Sequence, residues 1–199
     1  MVKQTELDAV NEVLSLVGIG EIADLTAPLR QDALQASATL SQGLMEIATT
    51  RNYYNRYEDI TLTRDTDNKI PIAANVYDVE LRNSNKQVVI KNNFLYNLTD
   101  NTFVFDSSLK ADITYYLQFV ELPEVVKRYL TMKTARKLYL KLFGVSPHLQ
   151  ALAMEEKMAY DVWQRYEDES GDLNILNHFD VHNIWYGARQ GGRVPGIGN

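Results

Sequence analysis

The stretch Arg51–Leu62, RNYYNRYEDITL, marks the point where the apolar pattern changes from a helical period to a strand period. Upstream of it, apolar residues recur every three or four positions. Downstream, short segments rich in Val, Ile, Thr and Tyr are separated by Asn, Asp and Ser. These periods are typical of α-helices and β-strands respectively. The stretch is therefore predicted to join a helical layer to a layer of strands.

Three tyrosines in this stretch, Tyr53, Tyr54 and Tyr57, allow two interpretations. A cluster of aromatic and charged side chains can form a recognition surface for sugar or nucleic acid. Aromatic rings at a layer junction more often cover the edge of a core, with their hydroxyls reaching water or backbone. We favour the second interpretation, which leaves Arg51, Arg56, Glu58 and Asp59 available for contacts with a neighbouring subunit.

Helical patterns lie on both sides of the strands. The predicted helices are residues 5–17, 28–50, 124–143 and 147–169. Thr5 and Asp8 have the spacing of an N-terminal cap, and Gly18 is a stop signal for the first helix. The second helix, of about six turns, carries an apolar stripe. That stripe consists of Leu29, Ala33, Ala36, Leu40, Leu44 and Ile47.

Between the helices, residues 58–120 have the pattern of short antiparallel strands. The predicted strand segments are EDITLT, NVYDVELR, KQVVIKN, FLYNL, TFVF and ADITYYLQFV. The combined prediction is an α+β fold, an antiparallel helical bundle formed by the N- and C-terminal helices with an inserted antiparallel β-sheet or small barrel and an extended C-terminal arm. The predicted divisions are 1–57 and 121–170 for the bundle, 58–120 for the insert and 171–199 for the arm.

Composition restricts the classes of function. The chain of 199 residues is 45% hydrophobic, which suffices for a substantial core, and its net charge is −6. An acidic protein is poorly suited to wrapping a polyanion such as DNA. The absence of cysteine excludes disulfides and thiolate sites, and it fits synthesis in a reducing cytoplasm. No segment approaches the ~20 apolar residues of a membrane span, so no membrane partner is predicted.

No catalytic, metal or cofactor site is predicted. The sequence has no G-x-S-x-G motif, and its histidines have no Ser or Asp partner at a spacing that singles out a triad. His178 and His182 have the spacing of a helical zinc pair, but only Asp180 is a nearby third ligand, so we interpret them as solvated or interface residues. The RDTDNK segment at 64–69 begins like a calcium loop but has Ile70 where glycine is required, and is predicted to be a hairpin turn.

Charge is unevenly distributed over the last two predicted helices. Residues 124–143 are mostly basic and residues 150–172 mostly acidic. The two helices can pair within one chain, where each exposed ion pair contributes only ~0–1 kcal/mol. They can also pair between chains, the basic helix of one copy meeting the acidic helix of the next. The predicted inter-subunit residues are Lys133, Arg136, Lys137, Glu155, Glu156, Arg51 and Arg56.

The last part of the sequence, residues 173–199, combines apolar anchors with a glycine-rich basic end. This composition suits an arm that orders when it reaches a partner. The alternative is that the apolar residues fold back on the helices of their own chain. The predicted docking residues are Leu176, Phe179, Ile184, Trp185, Tyr186 and Arg189.

Four segments form an ordered pattern that covers most of the chain outside the strands. They are ELDAVNEVLSLVGIGEI (6–22), RNYYN (51–55), KTARKLYLKLFG (133–144) and ALAMEEKMAYDVWQRYEDESGDLNIL (151–176). Together they resemble the tail tubular protein A family, the head-to-tail adaptors of short-tailed bacteriophages. Tyr53 stands where the family has a tryptophan.

The resemblance implies a structural virion protein of the tail, made in the host cytoplasm. It would form a ring of identical subunits, a dodecamer in the family, between the portal protein and the nozzle formed by tail tubular protein B, with a tail-fibre attachment region. The arm residues would dock on the portal. DNA would pass through the ring without sequence-specific binding, and an acidic conduit fits that role because it repels phosphates.

Two other functions remain open. A tail-associated polysaccharide hydrolase could use Glu58 and Asp59, although adjacent residues on a strand point to opposite faces and cannot flank one glycosidic bond. A DNA-binding accessory protein could use the basic helix. That helix has no helix-turn-helix signature, however, and the net charge opposes binding to DNA.

Overall fold

A computed structural model describes residues 4–26, 30–82 and 85–175, with side chains as far as residue 170. In chain order the helices and strands are α1 (Glu6–Leu16), α2 (Gln31–Ala48), β1 (Arg56–Leu62), β2 (Val76–Leu81), β3 (Val88–Lys91), β4 (Phe94–Asn97), β5 (Leu109–Tyr115), α3 (Glu124–Phe143) and α4 (Pro147–Ile175). A short 3-10 helix, Phe119–Glu121, precedes α3. The fold is α+β, as predicted.

The ends of α1 follow from local signals. The Thr5 side chain accepts a hydrogen bond from the Asp8 backbone N–H at 3.2 Å, and the Asp8 carboxylate accepts one from the Thr5 N–H at 2.9 Å. These bonds satisfy donors that have no partner inside the helix. Gly18 follows the helix with a φ of 79°, a left-handed conformation that glycine adopts without steric cost. The predicted start and stop are confirmed.

Two other helix boundaries differ from prediction. The second helix runs from Gln31 to Ala48 and is shorter than predicted, while residues 27–29 lie outside the described residues. Helix α4 continues to Ile175, past the predicted end at 169. Gly171 therefore does not end the helix, since one glycine costs only about 1 kcal/mol relative to alanine in a helix interior. Residues 171–175, assigned by prediction to the arm, are helical.

Helix α3 lies at the centre of the helical layer, because it contacts α1, α2 and α4. Leu14, Leu40, Leu130 and Leu138 are all buried in the core that these helices share. The predicted apolar stripe of the second helix is thus confirmed at Leu40. Trp163 of α4 is also buried in this core.

The strands form two small antiparallel sheets. One has the order β1-β5-β2, the other pairs β3 with β4, and the described residues form no barrel. Residues 102–105, predicted to be a strand, form only isolated bridges. The chain leaves β4 through a tight turn in which the Asn97 carbonyl oxygen of the side chain accepts the N–H groups of Thr99 and Asp100.

The last predicted strand, 111–120, is also shorter than expected. Strand β5 ends at Tyr115, and Phe119 turns back in the 3-10 helix to bury its ring in the helical core. Phe119 therefore belongs to the helical layer. A separate hydrophobic core, including Ile70, Leu95 and Ile113, lies under the sheets.

The division of the chain into bundle, insert and arm stays a prediction.

The predicted turn at 64–69 is present, with the Asp65 carboxylate accepting the N–H groups of Asp67 and Lys69. In the part of the chain that the structure describes, no helix is long and apolar enough to cross a bilayer.

Candidate assembly surface

The joint between the helices and the sheet is organised by Asn55, which is buried. Its side-chain oxygen accepts the Asn52 N–H at 2.9 Å, and its side-chain amide donates to the Thr50 carbonyl at 3.1 Å. Its backbone carbonyl accepts the Tyr115 N–H at 2.7 Å, which connects the joint to β5. Sequence reasoning missed this residue. The only available signal was a polar residue directly after the Tyr53–Tyr54 pair.

The three tyrosines of the joint have different surroundings. Tyr54 packs against the helical core, and burial raises the pKa of its hydroxyl. Tyr53 packs edge-on against Tyr54 and donates a hydrogen bond from its hydroxyl to that of Tyr166 on α4. Core-edge packing, the favoured interpretation, is thus observed for Tyr54. Tyr57 is 53% exposed and its ring lies against Tyr115 of the sheet instead.

A network of charges covers the face of the three-stranded sheet that points away from its core. Arg56 contacts Asp112 at 2.8 Å and Glu80 at 3.2 Å, while Arg51 contacts Glu80 at 3.1 Å. Arg82 also binds Asp112. Arg51 and Arg56 are therefore engaged within the chain, and the prediction that they are free for a neighbour was wrong. Their inter-subunit role stays a prediction.

Asp112 is the centre of this network. Its side chain is only 8% exposed, and burial by itself would raise the pKa of the carboxyl. The hydrogen bonds from Arg82, from the Asp59 N–H and from Arg56 outweigh that effect and lower the pKa of Asp112 to about 2. The same contact raises the pKa of the Arg82 guanidinium. The sheet face is thus held by ionised groups across the ordinary pH range.

The basic residues of α3 pair with two different helices. Lys133 and Lys137 contact Glu46 of α2 at 2.7 and 3.1 Å. Their hydrogen bonds, that of Lys133 first, lower the pKa of Glu46. Arg136 binds Glu156 of α4. The sequence had offered only α4 as the intrachain partner, because spacing does not reveal that α3 lies between α2 and α4.

Lys127 differs most from its predicted setting. It lies on the helix predicted to be mostly basic, yet its side chain is fully buried. Its ammonium group donates to the Gln4 carbonyl at 3.1 Å and to the Glu124 carboxylate at 2.8 Å, and it lies 5.6 Å from the centre of the Phe119 ring. These three partners offset the cost of burying the charge. Lys127 therefore belongs to the core.

An apolar groove with a volume of about 370 Å³ lies between α3 and α4. Its lining includes Val125, Met158, Ala159 and Val162, with charged residues at the rim. Met158 is 60% exposed and Val162 43%. Sequence reasoning missed the groove. The signal was present in the four-residue spacing of Met154, Met158 and Val162, which puts them on one face of a helix.

The other predicted site residues were placed as follows. Glu155 lies at the groove rim, 3.9 Å from Arg128, and Glu156 lies beside Arg136. The predicted docking residues, Leu176, Phe179, Ile184, Trp185, Tyr186 and Arg189, lie outside the described residues, as do His178 and His182. Among the residues that are described, no group of three or more His, Cys, Asp or Glu is placed to hold a metal ion.

A groove and extensive charged surfaces, carried on a small α+β fold, are features of a protein that assembles with others. Residues 7–173 match the family model described as tail tubular protein, which defines a structural component of a bacteriophage tail. The chain belongs to the tail tubular protein family. The tail tubular protein A of Klebsiella phage KP34 is 28% identical over 152 residues, covering 75% of this chain and 80% of that protein. The resemblance seen in the sequence is confirmed.

Proposed function

We propose that the protein forms a ring, a dodecamer by analogy with its family, that joins the portal protein to the nozzle of the tail. The observation that carries this proposal is the family match over residues 7–173. Tail tubular protein B would bind the opposite side of the ring, a tail fibre would attach near the junction, and DNA would pass through the centre. A net charge of −6 supports that passage because an acidic protein repels phosphate.

The described contacts also weaken the two alternatives. Glu58 and Asp59, the carboxylates considered for a hydrolase, are held by Arg82 at 2.7 Å and by Lys110 at 2.8 Å. The basic helix considered for DNA binding has most of its charges paired with carboxylates of the same chain, those of Glu46, Glu156 and Glu12. A phosphate backbone would have to displace these carboxylates.

In this proposal the C-terminal residues Leu176, Phe179, Ile184, Trp185, Tyr186 and Arg189 dock on the portal. Helix α4 supports the idea, because it carries the chain to Ile175, where the docking segment begins. Aromatic anchors are common hot spots of interfaces, and truncating a buried tryptophan at a hot spot can cost more than ~2 kcal/mol. One such attachment on every subunit of a ring would add up to a large gain in avidity.

The proposal is tested by measuring mass in solution and binding to portal-containing heads. The purified chain should form a ring, alone or on the heads, visible by light scattering and electron microscopy. A chain truncated after Ile175, which keeps α4 intact, should retain its helical circular dichroism and fail to join the heads. A protein that stays monomeric with heads present contradicts the ring, and equal recruitment of the truncated chain contradicts the docking role of the arm.

A further inference from the structure

We propose that the C-terminal segment 176–199 lies in the groove between α3 and α4 of its own subunit until the subunit meets its partner. Most of the lining of this groove is apolar, and two of its lining residues, Met158 and Val162, are left exposed in it. Exposed apolar side chains that line a groove favour an apolar occupant. The segment supplies one in Ile184, Trp185 and Tyr186.

The reach of the segment matches the position of the groove. From Val162 to Ile175, α4 rises about 20 Å at about 1.5 Å per residue. An extended chain covers about 3.3 Å per residue, so roughly six residues return over that length. The chain needs two or three further residues to reverse its direction after Ile175. Ile184 then lies opposite Val162, and the aromatic pair that follows it lies opposite Met158.

The charges of the segment and of the groove rim also favour the segment as the occupant of the groove. After Asp180 the segment contains Arg189 and Arg193 and no acidic side chain. Continuing back along α4, Arg189 approaches Glu155 at the groove rim. The carboxylate of Glu155 is 3.9 Å from Arg128, and Arg128 is bound more closely to Glu12, at 2.5 Å. Glu155 therefore has capacity to accept a further cation.

A second groove, between α2 and α3, provides the contrast. It has a similar volume, about 390 Å³, but it is lined mainly by polar residues such as Gln35, Thr39 and Gln42 and by the basic Lys141. This lining offers little to aromatic side chains, and Lys141 repels arginine. The segment should therefore discriminate between two grooves on the same bundle.

The test uses the absence of cysteine from the chain, so that two introduced cysteines can form only one intramolecular disulfide. The probe pair is Met158→Cys with Ile184→Cys, and the matched control is Gln42→Cys with Ile184→Cys. Under mild oxidation of dilute protein, the probe pair should form its intramolecular disulfide several times faster than the control pair. Adding Glu155→Lys should slow closure of the probe pair.

Equal closure rates for the two pairs overturn the proposal, since a freely moving segment reaches both positions. Covalent dimers in place of closed monomers also overturn it, because the occupant would then be a second copy. The consequence for assembly rests on the proposed function: the disulfide-closed protein should fail to join portal-containing heads, and reduction should restore joining. Closed protein that still joins heads contradicts portal docking by the segment while leaving its place in the groove supported.

Discussion

Gly43 on α2 faces Leu130 on α3 so closely that a Cβ atom at position 43 would lie 2.5 Å from the Leu130 Cδ1 atom. Both residues are buried. No real Cβ contact is that short, so the absence of a side chain at residue 43 is what permits α2 to approach the central helix. The glycine is a packing requirement inside a helix that would otherwise favour alanine.

Replacing Gly43 with alanine should destabilise the fold. The gain of about 1 kcal/mol in helix propensity is opposed by overpacking, which costs about 1–3 kcal/mol in a filled core. Urea denaturation followed by circular dichroism measures the difference. In a Leu130→Ala background the same substitution should become neutral or stabilising, because the opposing methyl group is gone. An equal loss in both backgrounds would show that Leu130 is not the obstacle.

Truncating Leu40 to alanine should cost ~2–5 kcal/mol, the usual range for a fully buried leucine. Leu40 is 1% exposed, whereas Leu34 on the same helix is 53% exposed. Leu34→Ala is therefore the matched control and should change the free energy of unfolding little. A loss below half a kilocalorie per mole at Leu40 would mean that the buried face of α2 has been assigned incorrectly.

Reversing the charges at Lys133 and Lys137 to glutamate should weaken ring formation at low salt. These lysines also pair with Glu46 inside the chain, so a loss of assembly alone would not establish an inter-subunit role. The compensating variant adds Glu46→Lys, which restores opposite charges within the chain. Light scattering should show that assembly stays weak in this variant. Full recovery would contradict the predicted contact between subunits.

Asp112 should make the stability of the fold depend on acid pH. The pKa of Asp112 is about 2 in the folded protein and 3.8 in its ordinary setting. Because the folded value is the lower one, the stabilisation is fully present above about pH 4 and is lost as the pH falls towards 2. Asp112→Asn should therefore destabilise the protein at pH 7, by ~1–3 kcal/mol, and the difference from the parent should shrink in that acid range.

The control for Asp112 is Asp78→Asn, since Asp78 contacts Arg51 but is 45% exposed. Its loss should change stability little at any pH, as for other exposed ion pairs. Denaturant titrations at a series of pH values measure the free energy of unfolding of both variants and so distinguish Asp112→Asn from Asp78→Asn. A gap between parent and Asp112→Asn that stays constant down to pH 2 would show that the carboxylate charge is not what stabilises the sheet face.

Lys127 should respond more to removal of its volume than to removal of its charge. Lys127→Met keeps most of the buried side chain, whereas Lys127→Ala opens a cavity beside Phe119. Both remove the donor to Gln4 and Glu124, so the difference in unfolding free energy between them reports packing. Alanine should be the more damaging substitution. Equal losses would show that the hydrogen bonds, and not the volume, determine the stability at this position.

Local chemistry explains which parts of the fold could be predicted. The Thr5–Asp8 cap and the Gly18 stop depend only on residues a few positions apart, so the sequence contains them completely. The apolar stripe of the second helix, which includes Leu40, was equally predictable, because burial follows the helical period.

Long-range partners could not be read in this way. Lys127 and Lys133 are both lysines on one predicted basic helix, yet one lies in the core and the other reaches Glu46, far away in the sequence. Which face of α3 meets which helix depends on three-dimensional packing. Asn55 was missed for the same reason, since its carbonyl meets Tyr115 only after the sheet has formed.

The contact between Tyr53 and α4 has a mechanical consequence. The Tyr53 hydroxyl bonds that of Tyr166, and the Tyr53 backbone N–H donates to the Glu167 carboxylate at 3.2 Å, a short distance along the chain from the start of β1. Helix α4 is thereby anchored, at Tyr166 and Glu167, to the joint that leads into β1. Any load that tilts the sheet would redirect the point from which residues 176–199 depart. Force applied to the sheet of the subunit would thus be transmitted to the last turns of α4.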